Sequence, residues 1–319
     1  MSGTGDGNTI ILGGLAGMND VGANGTPGLI VNSFASGSVT ATGDGQIGGL
    51  VGGNFAKIES SYATGAVSIQ NGGGTAGGLV GWNNSSGTIE GSYATGAVSV
   101  TPAGSGSSFV DVTAGGLVGD NQGGIANSYA TGAVTSTGGD IISLGGLVGS
   151  NDGTISNSYA KGNVSANSPA DSAVLALGGF AGFNSDSGEI TNSYATGNVS
   201  ANNGFVFAGG FVGSNSGAIT NTPRFDADGN RIADASGNVT LAGTATGAAG
   251  GFAGVNVNFI DQSVASGAVS GGDGAFVAGF AGWNAGLISQ SSAGGAVTGG
   301  DNSVAAGFVA LNEIGRAHV

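Results

Sequence analysis

The chain has 319 residues, of which 71 are glycine, 4 are proline and none is cysteine, with 39% hydrophobic and only 8% charged residues. Such a chain has enough apolar surface to fold but is too rich in Gly, Ser, Thr, Asn and Val for a helical protein, and it lacks the proline and the three-residue glycine period of collagen. Its 5 basic against 19 acidic residues, a net charge of −14, exclude nucleic acid as a partner and an anionic membrane surface with it. No apolar run is long enough to cross a bilayer as a helix.

The first residues, Met1 to Gly5, have neither the charged nor the apolar region of a signal peptide. Either the protein stays inside the cell or its export signal lies outside this sequence. From residue 12 onward the chain repeats itself. Ten units align on a Gly-Gly-Leu or Gly-Phe step, from Leu15 to Phe308, with a period of about 33 residues. Within a unit the order is constant. The residue after Leu or Phe is Val or Ala, and an asparagine follows, from Asn19 in the first unit to Asn312 in the tenth. Next comes an isoleucine (Ile30 in the first complete unit, Ile288 in the last), then Ser-Tyr-Ala-Thr-Gly or a variant of it, and then a valine. The Ile-to-Val spacing is the same in every unit but the seventh, where Ile219 and Val239 are separated by an insertion. The link from Val to the next Gly-Gly varies freely, as a loop on one edge does.

None of the apolar pieces is long enough for a helix, and β-branched Val and Ile suit strands. No unit can bury its own apolar face, whereas stacked units bury Leu on Leu, Ile on Ile and Val on Val. The expected fold is therefore all-β: a parallel β-helix (β-solenoid), right-handed and three-sided, of about ten coils. It is expected to form a single solenoid over residues 1–312, with 223–238 as an insertion in the seventh coil that turns as a hairpin at Asp228-Gly229. Counting along the strand from each Ile, the Ala, Gly and Val share the inner face, provided the chain turns a corner between Ile and the Ser-Tyr step. The aromatic residue and the Thr then face outward. The repeated Asn is expected to form a stacked amide ladder at another corner. The tail, residues 313–319, breaks the style of the repeats and reads as a translated sequencing adapter, so the single histidine, His318, is set aside.

The consensus Gly-Gly-Leu-Val-Gly-x-Asn…Ile-x-x-Ser-Tyr-Ala-Thr-Gly-x-Val resembles the GLUG repeat, over nearly all of residues 12–312. The resemblance implies an exported segment of a large bacterial adhesin similar to filamentous haemagglutinin. Such a segment is secreted or held at the outer membrane and acts as a stalk and adhesive surface toward glycans or proteins of a host or neighbouring cell. A second implied reading is an accessory solenoid domain of a large secreted enzyme, an IgA-type metallopeptidase or a polysaccharide-acting protein. The departures are the insertion after Ile219 and the loss of Tyr in the last two complete units, which carry Val264 and Ser292.

Catalytic patterns are not apparent. No His-Glu-x-x-His and no phosphate-binding Gly-rich motif occurs, and the repeat glutamates Glu59, Glu90 and Glu189 read as scattered over equivalent surface positions. No enzyme activity, no cofactor and no membrane insertion of this segment are expected. Calcium is the one ion considered. Asp44, Asp111, Asp140, Asp171, Asp273 and Asp301 lie in the variable links, where stacking would align them, and Asp226-Ala227-Asp228-Gly229 has part of a calcium-loop pattern. The site expectation rests on an aromatic column: Phe34, Tyr62, Tyr93, Tyr129, Tyr159 and Tyr194 hold the same position in six successive units. Spaced by one strand separation and flanked by Thr64, Thr95, Thr131 and Thr196, the rings are expected to accept the apolar faces of successive sugars.

Overall fold

The computed structural model describes residues 2–4, 10–22, 24–102, 110–168 and 173–313. Among these, every regular element is a short strand. One turn of the chain shows the plan. Gly74–Gly77, Val80–Asn83, Thr88–Glu90, Tyr93–Ala94 and Val98–Thr101 follow one another, and each pairs in parallel with its equivalents one turn away. The register is residue for residue: Ala76 opposite Ala114, Asn83 opposite Asn121, Ile89 opposite Ile125, Tyr93 opposite Tyr129 and Val98 opposite Val67. We name the five sheets after these glycine, asparagine, isoleucine, tyrosine and valine strands. The glycine, asparagine and valine sheets are ten strands deep and the isoleucine sheet nine. The protein is a parallel β-solenoid of about nine turns. A regular turn carries five short strands, and in the seventh a hairpin replaces the tyrosine strand and leaves a single bridge at Ala235.

The interior consists of two apolar columns running along the axis. One stacks Leu79, Val80, Ile89 and Ala94 with their equivalents. The other stacks Ala76, Val98 and Val100 with theirs. The chain passes from one to the other at Gly77-Gly78 and returns at Gly96. A Cβ on Gly78 would strike the carbonyl oxygen of Gly116 and come within 2.9 Å of the Ala94 methyl. The coil is thus drawn in at a waist where only glycine and alanine fit. Along the first column a larger residue is in three turns offset by a smaller neighbour, although Phe211-Val212 and Phe308-Val309 keep both large. Leu-Val in the second to fifth units (Leu50-Val51 to Leu147-Val148) gives way to Phe-Ala at Phe180-Ala181, Phe252-Ala253 and Phe280-Ala281. Phe180, Phe211, Phe252 and Phe280 stack at 4.7–5.0 Å inside the solenoid, and the exposed Phe308 ends the stack at 4.9 Å.

Both corners are held by ladders of side chains. Each repeat asparagine donates Nδ2–H to the Oδ1 of the next, from Asn19–Asn54 at 2.8 Å through Asn121–Asn151 at 2.7 Å to Asn284–Asn312 at 2.8 Å. The second amide hydrogen goes to a nearby carbonyl, as from Asn121 to Gly123 at 3.2 Å. The central members are fully buried, so the amide ladder expected from the sequence is a hydrogen-bonded spine. The corner between Ile and Tyr is also present. Residues there adopt positive φ (Asn127 50°, Asn157 49°, Asn192 49°), and the serine that follows accepts from the serine N–H one turn below, as Ser61 Oγ does from Ser33 at 3.1 Å and Ser92 Oγ from Ser61 at 3.1 Å. Past the corner, Ala63, Gly65 and Val67 are buried, Thr64 is exposed and Tyr62 half-buried, the alternation expected of this segment.

In the seventh turn Arg224–Phe225 pairs antiparallel with Arg231–Ile232. Asp226 Oδ1 caps the connecting turn, accepting from the N–H groups of Asp228 at 3.0 Å and Asn230 at 2.8 Å, and Gly229 supplies φ of 82°. The chain rejoins the solenoid at Ala235, which bridges Ala195 and Ala265. Glu313 is the last described residue, so 314–319 of the adapter-like tail lie outside the described residues.

Candidate ligand-binding face

The tyrosine strands are only two residues long, Tyr93–Ala94 for example. The alanine fills the core and turns the ring to the outside. Strand pairing then places each ring on the next. Tyr62, Tyr93, Tyr129 and Tyr159 are 4.8 Å apart with interplanar angles of 1–3°, Phe34 precedes them at 5.2 Å and Tyr194 follows at 5.0 Å. The position and spacing expected from the sequence are thus found, but one feature differs. The rings lie flat against one another, so their faces are occupied and a sugar has no face to stack on along the row. The edges and the phenol hydroxyls remain. None of these hydroxyls has a hydrogen-bond partner among the described residues. Burial, and secondarily the neighbouring phenols, raises the Tyr129 and Tyr159 hydroxyls above their ordinary pKa, which keeps them protonated donors. Thr64, Thr95, Thr131 and Thr196 are exposed alongside.

The row ends at the insertion. Arg224, on the first hairpin strand, lays its guanidinium over the outer face of Tyr194, 4.1 Å from the ring centre. Asp234 takes the place in the column that Tyr holds elsewhere. Its carboxylate is 2% exposed and lies 3.4 Å from Arg224, 3.8 Å from Arg231 and 3.0 Å from the Val264 N–H. Burial outweighs these partners and raises its pKa. Asn157, Asn192, Tyr194, Thr222, Pro223, Arg224 and Asp234 line a pocket of about 310 Å³ there. The sequence points to a hairpin here and to part of a calcium-loop pattern, but not to this pocket. The available signal was that the one insertion falls where the tyrosines stop.

The acidic residues of the links act on the backbone. Asp44 accepts from the Gly73 N–H at 2.8 Å, Asp140 from Val110 at 2.9 Å and Asp273 from Asp301 at 2.7 Å, each tying one turn to another. Asp111 is exposed, and Asp171 lies outside the described residues. Among the described residues no three His, Cys, Asp or Glu side chains form a metal-sized group, and the Asp226 carboxylate is already filled by its own turn. Glu59 and Glu90 are stacked partners that share Lys57, at 2.7 and 3.3 Å. Glu189 pairs instead with Thr154 and Ala218, so it precedes its isoleucine where the other two follow theirs, and the three positions are not equivalent.

A second surface feature was also missed. Where the outward residues of the glycine and asparagine sheets converge, Ala176, Phe207, Phe183, Ser150 and Ser214 line a groove of about 370 Å³ bordered by Ile141 and Val174. The residue before the repeat asparagine supplies one wall, Ser150, Phe183 and Ser214 in three successive turns, and the same column continues to Asp120 and Trp82. Asp120 sits between Trp82 and Ser150 on this wall with Oδ1 unpartnered. Burial, then the Asp152 charge, pushes its pKa up to about 6. A carboxylate with a raised folded pKa costs stability above that pKa and costs nothing once the unfolded chain is protonated too. Asp120→Asn should therefore raise the unfolding free energy by roughly 2–3 kcal/mol at pH 7.5, with the gain shrinking below pH 6 and gone by about pH 3. Urea titrations of both proteins across that range measure it, and a gain independent of pH would refute the assignment.

The repeat itself has a counterpart among known families. Residues 43–68, 141–165 and 173–200 match the GLUG motif. Each matched stretch is one turn of the solenoid, from the strand before Gly-Gly, through the asparagine, isoleucine and tyrosine, to the valine strand. No curated protein and no solved structure matches the chain. GLUG repeats stacked as a β-solenoid fit a repeat segment of a larger protein.

Proposed function

We propose that this chain is a non-catalytic GLUG repeat segment of an exported bacterial surface adhesin, a stiff rod that carries an adhesive face away from the cell. The observation that supports this most is the tyrosine row: five phenols in register on the outside of a rod whose spine is an unbroken amide ladder. Nine turns at ~4.8 Å make a rod of roughly 45 Å, and a ladder that repeats without a hinge transmits position along it. A row of hydroxyl donors at one strand spacing, edged by threonines, offers hydrogen bonds at regular intervals to the glycans or proteins of another cell.

Two triple variants displayed on beads separate adhesion from packing. Tyr93→Phe, Tyr129→Phe and Tyr159→Phe together keep the stacks and remove the hydroxyls. Adherence to target cells should fall at least tenfold with the melting temperature nearly unchanged. The corresponding triple alanine variant loses four stacked pairs and should also lose about 2–5 kcal/mol of stability. Full adherence by both variants would sink the adhesive reading and leave the rod only the spacing role that a domain of a secreted enzyme would have.

A further inference from the structure

The chain has five Lys and Arg residues against nineteen acids, and the placement of the few cations is uneven. Lys57 is engaged by Glu59 and Glu90, and Arg316 lies outside the described residues. The other three, Lys161, Arg224 and Arg231, gather where the tyrosine row ends. Lys161 Nζ sits 5.0 Å from the centre of the Tyr159 ring, and the Arg224 guanidinium 4.1 Å from that of Tyr194. The hairpin that brings the two arginines is the one insertion in an otherwise constant segment. We infer that the pocket between the hairpin and Tyr194 is a binding site for a carboxylated sugar, the acidic unit of a glycan that runs along the tyrosine row. The inference rests on the adhesive reading of that row and deepens it.

The donors are in place. Arg224 commits Nη2 to the Ala233 carbonyl at 2.7 Å and to Asp234 at 3.4 Å, leaving Nε and Nη1 without a protein partner. Asn192 Oδ1 accepts from the Thr222 N–H at 3.0 Å, which leaves its amide hydrogens for a ligand. Asn157 and Thr222 line the same pocket. Asp234 is the positioning residue. Buried in the tyrosine column, it lies 3.4 Å from Arg224 and 3.8 Å from Arg231, so the Arg224 guanidinium is held at the pocket, while Lys161 stands over the neighbouring Tyr159 ring. The volume, about 310 Å³, suits a single saccharide unit at the low end of small-ligand sites. A carboxylate there meets a guanidinium stacked on an aromatic ring, which is oriented by that stack and weakly hydrated. The rest of the surface, strongly negative, repels an anionic chain and so directs its acidic unit to this end.

The probes are a sialylated trisaccharide, an oligogalacturonate, a sulfated disaccharide and neutral lactose, titrated calorimetrically against the 319-residue chain at 50 and 300 mM salt. Either carboxylated probe should bind at least tenfold more tightly than lactose, and more weakly at high salt. Arg224→Gln should lose at least tenfold for that probe. Lys161→Gln, at an exposed position whose side-chain partner is the Tyr159 ring, should lose about threefold with an unchanged melting temperature. It keeps the test valid if Arg224→Gln loosens the hairpin. A carboxylated ligand bound equally by wild type and both variants overturns the inference, as does a preference for the sulfated probe or no binding of any acidic probe. The two readings fail separately. If the tyrosine-to-phenylalanine triple variant loses cell adherence while Arg224→Gln and Lys161→Gln bind and adhere as wild type, the row stands and the acidic pocket falls.

Discussion

Gly145→Ala is expected to prevent folding or to cost at least 4–5 kcal/mol, roughly the upper end of single-substitution effects. Gly145 is the first glycine of a Gly-Gly step, where the chain crosses between the two apolar columns. An added Cβ would be driven into the Val148 carbonyl oxygen, with the Phe180 carbonyl at 2.7 Å and the Gly182 N at 2.8 Å. All three are backbone atoms: Val148 and Gly182 lie in paired strands, and the Phe180 carbonyl accepts from the Leu147 and Val148 N–H groups, so relief requires breaking the bonds between neighbouring turns. Gly294→Ala supplies the contrast. Nothing lies within 4 Å of the methyl it would add, and its stability should stay within about 0.5 kcal/mol of wild type. Circular dichroism and urea unfolding of the two variants measure the difference. A Gly145→Ala protein with wild-type stability would mean that the waist is loose.

Asn121→Ala should cost about 3–5 kcal/mol, from two buried amide groups left without partners at about 1–3 kcal/mol each. Asn121 accepts from Asn83 at 2.8 Å and donates to Asn151 at 2.7 Å and to Gly123 at 3.2 Å, with no exposed surface. Removing it interrupts the spine in mid-rod and strands the Asn151 oxygen and one Asn83 hydrogen in a site closed to water. The urea midpoint should fall at constant slope if the rod still unfolds as one unit. A second transition would show that the ladder couples the two halves. A loss under about 1 kcal/mol would mean that the ladder is ornamental.

The repeat period, the invariant asparagine, the constant Ile-to-Val spacing and the alternation after the Ser-Tyr corner were all legible in the residues. Ladder interactions require the same side chain at the same place in every turn, so whatever holds the turns together must recur in the sequence. The solenoid, its spine and its outward tyrosines followed from that alone. Three features were decided only by the tertiary structure. The waist depends on backbone of one turn meeting the next, which glycine content suggests but does not locate. The faces of the tyrosines are closed because rings about thirty residues apart, such as Tyr62 and Tyr93, lie at stacking distance, whereas alternation specifies only the side of the strand. The pocket beside Tyr194 arises where the pattern breaks. Arg224 belongs to no column of the repeat, Asp234 is a carboxylate in a column of tyrosines, and only the folding of the hairpin onto Tyr194 brings the two together.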